Sequence, residues 1–283
     1  MLRETAKSTL LNVLWTTLGR KNLVRLGRFL SNGGRLDVLN DPETNGETRV
    51  QEEFLAGHPS SAPLVVFDVG ANIGDWTKVM LELAASRSGE TSIHAFEPGD
   101  ETLVTLHRNL AAWSLTDKVV VNDVALSSKA ETRKYYSLGA NAGVNGLYPV
   151  NDTDPQAISE IETQTLDGYC EQAGLSHVHF VKVDTEGHDM EVLYGAKGML
   201  EKQAIDALQF EYNYRWINAR HYLRDAFDYF QPLGYQLGKV TPHGIEFYPG
   251  WDPELERFVE ANFLAVKPSA VPAFSTISWW KQS

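Results

Sequence analysis

The 283-residue chain has a single cysteine, Cys170, so it can form no intrachain disulfide and offers no thiol cluster for a structural zinc. Both absences favour a reducing compartment, with the cytoplasm as the expected location. No apolar run approaches the ~20 residues of a membrane-spanning helix. Arg3 and Lys7 do precede the apolar stretch Leu10 to Leu18, but Asn12 and two threonines interrupt it and no small-residue cleavage site follows, so export is not expected. Basic charge is scarce outside the first 35 residues. Those hold seven basic residues against Glu4 alone, leaving 18 basic and 36 acidic residues for the rest, which speaks against nucleic acid as a partner. With 43% hydrophobic and 22% charged residues, the composition is that of a folded globular chain, long enough for one large core plus an arm.

Glycines, too, are missing from one informative place. Leu64 to Asp75 reads LVVFDVGANIGD: an apolar run, an acid, and a turn through Gly70 and Gly74 into a sequence of helical period (Trp76, Val79, Met80, Leu83, Ala84). Leu64, Val65, Val66, Phe67 and Val69 suit a strand buried on both faces, and Asp68 marks its edge. A strand, a glycine turn and a helix make the nucleotide entrance of doubly wound folds. A dinucleotide fingerprint starting at Gly70 needs glycines at 72 and 75, where this chain has Asn72 and Asp75. An acid in the turn repels a pyrophosphate, whereas S-adenosylmethionine carries a sulfonium and an ammonium and no phosphate.

Along the chain, residues 2–30 suggest two short amphipathic helices interrupted near Gly19, forming a basic arm docked on the acidic body. Alternatively, the arm meets an anionic surface or partner, covers the pocket, or contacts a second copy to make a homo-oligomer. Residues 31–63 read as a polar connection, so the expected division is an arm and linker over 1–60, a catalytic domain over 61–268 and a tail over 269–283. A second strand, Thr91 to Phe96, ends at Glu97-Pro98. A carboxylate at that tip can accept hydrogen bonds from both hydroxyls of an adenosine ribose, while Pro98 stops the strand. A third strand ends near Asp123 and Val124, beside Ala125 and Leu126, where an adenine would lie. Residues 127–162 resemble an insertion with a short strand at Thr132 to Tyr136 and a loop, AGVNGLYPVNDTDP, able to close over substrate.

The fourth strand, HVHFVKVD, runs from His177 to Asp184 and is followed by Thr185, Glu186, Gly187, His188 and Asp189; the fifth, IDALQFE, ends at Glu211 beside Asn213. Carboxylates and a histidine gathered just beyond strand ends are candidates for a general base or for the ligands of a Lewis-acidic cation. Asp184, Glu186 and His188 alternate and would share a side if the chain stays extended. His177 and His179 read as sheet-face histidines. Arg215, His221 and His243 come late enough to reach a pocket, and Tyr212, Tyr214 and Trp216 offer a ring platform or core packing.

The ordered set FDVGANIGDWT, HAFEPGDETLVTLHRNL, VALSS, TLDGY, VKVDTEGHDMEVLYGA and LQFEYN resembles the FkbM family of S-adenosylmethionine-dependent methyltransferases over about residues 64–267. The resemblance implies an α/β class I methyltransferase fold, Rossmann-like, with a seven-stranded, mostly parallel sheet whose last strand is antiparallel. It implies O-methylation of a hydroxyl on a small or medium molecule such as a sugar, a macrolide or another natural product. By the same resemblance Asp68, Gly70, Asn72 and Gly74 line the methionine end of the cofactor, Glu97 holds the ribose, and Asp123 and Val124 sit by the adenine, whose wall Pro98 is expected to shape. Asp184 and Glu186 face the transferred methyl, and His188 stands where the family often has an apolar residue. The placement of Asp184, Glu211 and Asn213 also resembles the magnesium site of catechol-type O-methyltransferases, so magnesium is a candidate cofactor. The competing expectations are N- or C-methylation on the same fold, and a cofactor-binding scaffold without catalysis.

Overall fold

The computed structural model describes residues 2–37, 41–42, 44–139, 142–149 and 157–282, with side chains from residue 5 onward. Its helices are α1 (Leu2–Gly34), α2 (Glu47–Gly57), α3 (Asp75–Leu83), α4 (Asp100–Ala112), α5 (Leu166–Gln172), α6 (Asp189–Gly195), α7 (Lys197–Glu201), α8 (Trp216–Ala219) and α9 (Leu223–Phe230). The strands are β1 (Leu64–Val69), β2 (Thr91–Phe96), β3 (Val119–Asn122), β4 (Ala125–Leu126), β5 (Thr132–Ser137) and β6 (Ala157–Gln164). They continue with β7 (Val178–Val183), β8 (Ile205–Tyr212), β9 (Gln236–Thr241), β10 (Gly244–Phe247), β11 (Ala261–Val266) and β12 (Thr276–Ile277).

The main sheet runs β3-β2-β1-β7-β8-β11-β9-β10-β12. From β3 to β8 all neighbours are parallel, and β11 is antiparallel to both β8 and β9. The seven expected strands are thus present with an antiparallel last member, but the sheet has nine. The two additions are β10, which pairs with β9 through a tight turn, and β12. The latter lies in the expected tail, and Trp279 just beyond it is buried against Tyr248, ring centroids 5.5 Å apart.

Helices cover both faces. On one, Val50 and Phe54 of α2, Met80 and Leu81 of α3, and Leu103, Leu106 and Leu110 of α4 pack with Leu64, Val66, Ile93 and Phe180. On the other, Met190, Val192 and Leu193 of α6 and Phe227 and Phe230 of α9 pack with Phe67, Val181, Leu208 and Phe210. Burial on both faces explains why the parallel strands read as continuous apolar runs. Two elements depart from the expectations. Helix α2 lies within the stretch read as a polar connection. Its exposed positions are Glu, Ala and Gly, which mask the stripe that buries Val50 and Phe54. Strand β6 begins after the expected loop, in the last part of the expected insertion, and pairs antiparallel with β5, Thr132 opposite Glu162. Its burial is almost wholly exposed, so no period-2 apolar signal announces it. The loop's residues 150–155 lie outside the described residues.

The arm is one helical element bent at Gly19 (φ 73, ψ 158), consistent with two expected segments. It does not dock along the body as expected: between residues 5 and 34 only Leu14, Leu23 and Asn32 are even partly covered. Its attachment is at the base. There the Arg35 guanidinium donates to the Glu254 carbonyl at 2.9 Å, and Asp37 pairs with Lys239 and with Arg257, the latter at 2.6 Å.

Candidate functional site

Strand register builds the site. Val69 lies opposite Phe96 of β2 and Val183 of β7, Phe96 lies opposite Asn122 of β3, and Val183 lies opposite Phe210 of β8. The next residue on each strand is therefore Gly70, Glu97, Asp184, Asp123 and Glu211. Five expected site residues stand in one row at this edge, four just beyond their strands and Glu211 still within β8. The order reverses between β1 and β7, where a crevice opens beyond the strand ends.

Two cavities occupy this edge. The first, enclosing ≈ 650 Å³, is lined by Gly70, Asn72, Glu97, Pro98, Asp184, Glu186 and His188 among the expected residues. Ala125 and Leu126, Tyr135 of β5, and Gly143 to Leu147 of the loop complete it, except that Val144 does not face in. The second, enclosing ≈ 900 Å³, lies between α2 and the glycine turn, lined by Glu47, Thr48, Gln51, Asp75, Trp76, Lys182 and Glu211. Gly70, Asn72 and Asp184 line both.

The glycine turn is held by long-range contacts. Gly70 has φ +80, and a Cβ there would stand 1.9 Å from the Asp184 carbonyl oxygen, so any side chain would part the ends of β1 and β7. Asn72 also has positive φ, and its N–H donates to Glu97 Oε2 at 3.1 Å; the Gly99 N–H donates to Oε1 at 2.9 Å. Burial raises the Glu97 pKa against these bonds.

Asp68 and Gly74 take other positions. Asp68 is fully buried below the turn, accepting from the Thr77 hydroxyl at 2.6 Å, and reaches neither cavity. Burial raises its pKa. Gly74 adopts φ +93 just before α3, and a Cβ there would meet Leu106 Cδ1 at 2.7 Å, so it permits close packing against α4. Asp123 is exposed, and neither it nor Val124 lines a cavity; the lining on this side starts at Ala125.

The acids after β7 do not share one extended face, because the chain turns through Glu186 (φ 57) and Gly187 (φ 95). Asp184 accepts from Lys182 Nζ at 3.1 Å. Glu186 pairs with Arg215 at 2.6 Å, yet burial and the Asp184 carboxylate push its pKa up to about 8. Asp189 is fully buried, accepts from the Gly187 N–H at 3.2 Å, and is pushed up to about 7 by burial and Asp184. Glu211 is raised well above the ordinary value by burial first and then by Asp184 and Glu186. His188 behaves differently. It is buried with Nε2 3.0 Å from Ser127 Oγ, and burial pushes its pKa to about 3, so it is a neutral wall residue and a poor base.

The expected magnesium ligands do not fit a cation. Asn213 donates to Glu211 and accepts from the Arg215 N–H at 2.8 Å, so both ends of its amide are engaged, and it lines neither cavity. Asp184 is held by the Lys182 ammonium, a competing charge. Among the described residues, the set of His, Asp and Glu ligand atoms within 4.8 Å of one another is His177, His179 and Asp206. It lies at the opposite end of β7, where His179 Nδ1 accepts from the Val65 N–H at 3.0 Å.

Of the aromatic candidates, Tyr212 and Trp216 are buried in the core, and Tyr214 is exposed. His221 sits between Glu191 and Asp225, away from both cavities, and Arg215 touches the site through Glu186. Sequence reasoning missed Tyr135, Glu47 and Gln51 as lining residues. Glu47 accepts from Gln209 Nε2 at 2.6 Å, a contact spanning most of the chain that no local pattern signals.

The FkbM methyltransferase domain model matches residues 68–237, more than half of the chain, and the protein belongs to that family. Its structure is similar to that of an FkbM methyltransferase from Methylobacillus flagellatus KT, with 17% identity and a TM-score of 0.47, covering 73% of this chain and 44% of the other. This chain therefore spans less than half of that protein's length. A precorrin-6y C5,15-methyltransferase from Geobacter metallireducens GS-15 shares 14% identity at a TM-score of 0.40, covering 77% of this chain and 88% of the other. An rRNA methylase from Streptococcus thermophilus shares 8% identity at a TM-score of 0.44, covering 81% and 99%. No curated protein sequence matches. Among the described residues, no helix is long and apolar enough to cross a membrane.

Proposed function

We propose that this chain is an S-adenosylmethionine-dependent O-methyltransferase acting on a hydroxyl of a small or medium molecule, such as a sugar, a macrolide or another natural product. The carrying observation is the shared wall: Gly70, Asn72 and Asp184 line both cavities, so two ligands would meet across the strand ends. The chemistry of the first cavity supports the cofactor. Its described lining holds Glu97, Asp184 and Glu186 and no Lys or Arg, which suits a sulfonium and an ammonium and disfavours a pyrophosphate. Thr185 Oγ1 and His188 Nδ1, on the same wall, are buried without a protein partner.

When bound, S-adenosylmethionine supplies an electrophilic methyl group. Glu97 Oε2, which accepts from the Asn72 N–H, keeps capacity for a ribose hydroxyl, whereas Oε1 already accepts from the Gly99 N–H and, at 3.4 Å, from the Tyr135 hydroxyl. The acidic set would hold the cationic end. In the second cavity Glu47, Thr48, Gln51 and Lys182 offer donors and acceptors for a hydroxylated acceptor, and the Trp76 ring offers a flat apolar face. Asp184, common to both spaces, would take the hydroxyl proton as the oxygen attacks, with Glu186 and Glu211 strengthening it as a base when ionised.

The test is calorimetric titration with S-adenosylhomocysteine, with NAD as control, followed by a screen of acceptors with labelled methyl. Binding of the first ligand alone, weakened at least tenfold by Glu97→Ala, supports the reading. No binding to folded protein would remove the cofactor assignment, and label recovered on nitrogen or carbon would remove O-methylation.

A further inference from the structure

Helix α1 carries an amphipathic pattern that the fold leaves uncovered. Nine of its large apolar side chains are exposed: Leu10, Leu11, Val13, Trp15, Leu18, Val24, Leu26, Phe29 and Leu30, with Trp15 at 59% and Phe29 at 73%. Before the Gly19 bend, Leu10, Leu14 and Leu18 recur every four residues with Leu11 and Trp15 beside them. After it, Leu23, Leu26 and Leu30 form one stripe, while Lys21, Arg25 and Arg28 gather on the far side. Residues 5–34 hold five basic residues and no acid.

The polar residues of the arm are suited to partial burial. Thr9, Thr16 and Thr17 donate their hydroxyls to carbonyls four residues back, at 2.9, 2.7 and 2.9 Å, and Asn22 Nδ2 donates to the Leu18 carbonyl at 3.0 Å across the bend. Their hydrogen-bonding needs are met inside the helix, which lowers the cost of leaving water.

We propose that residues 5–34 dock in the plane of an anionic lipid surface, apolar stripes in the headgroup boundary and basic residues against the negative heads. After the bend, leucines lie on one face and Lys21, Arg25 and Arg28 on the other, with Phe29 at the boundary one turn beyond Arg25; that separation is the physical requirement for interfacial binding, and the attraction requires anionic lipid. A second copy is the poorer occupant. Two arms side by side would bring like charges together, and the bend breaks a continuous seam. The body offers no matching stripe among the described residues. Its exposed large apolar side chains lie on α4, β3, β6, α8 and connecting segments (Val104, Val120, Leu138, Ile158, Tyr214, Ile217, Tyr222, Trp280).

The full chain is to be sedimented with vesicles of phosphatidylcholine mixed with phosphatidylglycerol, and with phosphatidylcholine alone. Pelleting with the anionic vesicles only is expected, abolished near 1 M salt, where the Debye length is about 3 Å. Trp15→Ser with Phe29→Ser should lower the bound fraction at least tenfold. Reversing Arg20, Lys21, Arg25 and Arg28 to Glu should lower it about a hundredfold or more, since each basic residue near an anionic surface contributes roughly a factor of five. S-adenosylhomocysteine or thermal-melt measurements on the same samples report whether the body stays folded. Full chain left in the supernatant, equal pelleting of the variants, or a lipid-free dimer lost in Trp15→Ser with Phe29→Ser would each overturn the proposal, the last assigning the face to a second copy.

Discussion

Gly70 and Asp184 are 114 positions apart in the chain, yet a Cβ on Gly70 would come within 1.9 Å of the Asp184 main-chain oxygen. The Asp184 N–H in turn donates to the Val69 carbonyl at 2.9 Å, so the turn after β1 and the acid after β7 are locked as one piece. Gly70→Ala meets this collision and the positive φ together. It is expected to cost about 3 kcal/mol of stability and to weaken S-adenosylhomocysteine at least tenfold. Denaturant unfolding alongside calorimetry checks both; a variant as stable and as tight-binding as the parent would refute the constraint.

Burial, with the Asp184 carboxylate beside it, pushes the Glu186 carboxyl up to about 8. Asp184 is the stronger proton acceptor when the neighbouring Glu186 is ionised, so methyl transfer should rise as pH increases through about 8. Glu186→Gln is expected to remove that limb and lower kcat about tenfold or more, with a smaller change in the acceptor KM. A parent profile flat between pH 6 and about 9 would exclude this carboxyl from the proton step.

His221 lies 3.1 Å from Glu191 and 3.5 Å from Asp225, and the bond to Glu191 leads the effects that raise its pKa above the usual 6.5. A raised cation contributes stability that is complete below about 6.5 and is lost as pH rises through the higher folded value. His221→Ala should therefore destabilise by about 1 kcal/mol near pH 6 and by less near pH 9. Urea titrations at the two pH values give the comparison, and an equal loss at both would count against the ion pair.

Trp216 is fully buried, and its Nε1 donates to the Glu211 carbonyl at 2.9 Å, whereas Tyr214 is 54% exposed. Trp216→Ala should cost about 3–5 kcal/mol through the void it leaves. Tyr214→Ala should stay within about 0.5 kcal/mol. Thermal melts of the two variants separate core from surface, and similar melting points would reverse the assignment.

Contiguous patterns made much of the site legible. The LVVFDVGANIGD stretch alone specified a doubly buried strand, a turn needing positive φ and a helix, because each depends on neighbours within a few residues. Acids directly after apolar runs identified Glu97, Asp184 and Glu211, since the C-terminal ends of parallel strands are level once the sheet forms. Charge counting made the arm distinct from the body. Asp68 misled because an acid at a strand end looks alike whether it enters a pocket or turns inward to Thr77. His188 does line the cavity of Asp184 and Glu186, but burial holds it neutral, which no alternation in the sequence can show.

The sequence by itself determined the strand-turn-helix start, the row of acids and the family, because these lie in local spacing and residue type. Only the tertiary structure decided which acids share a cavity, that α2 brings Glu47 and Gln51 to the second space, that β6 pairs with β5, and that α1 stays uncovered. Those outcomes rest on strand register, desolvation and contacts between residues far apart in the chain, and a carboxyl's proton affinity follows from what surrounds it after folding.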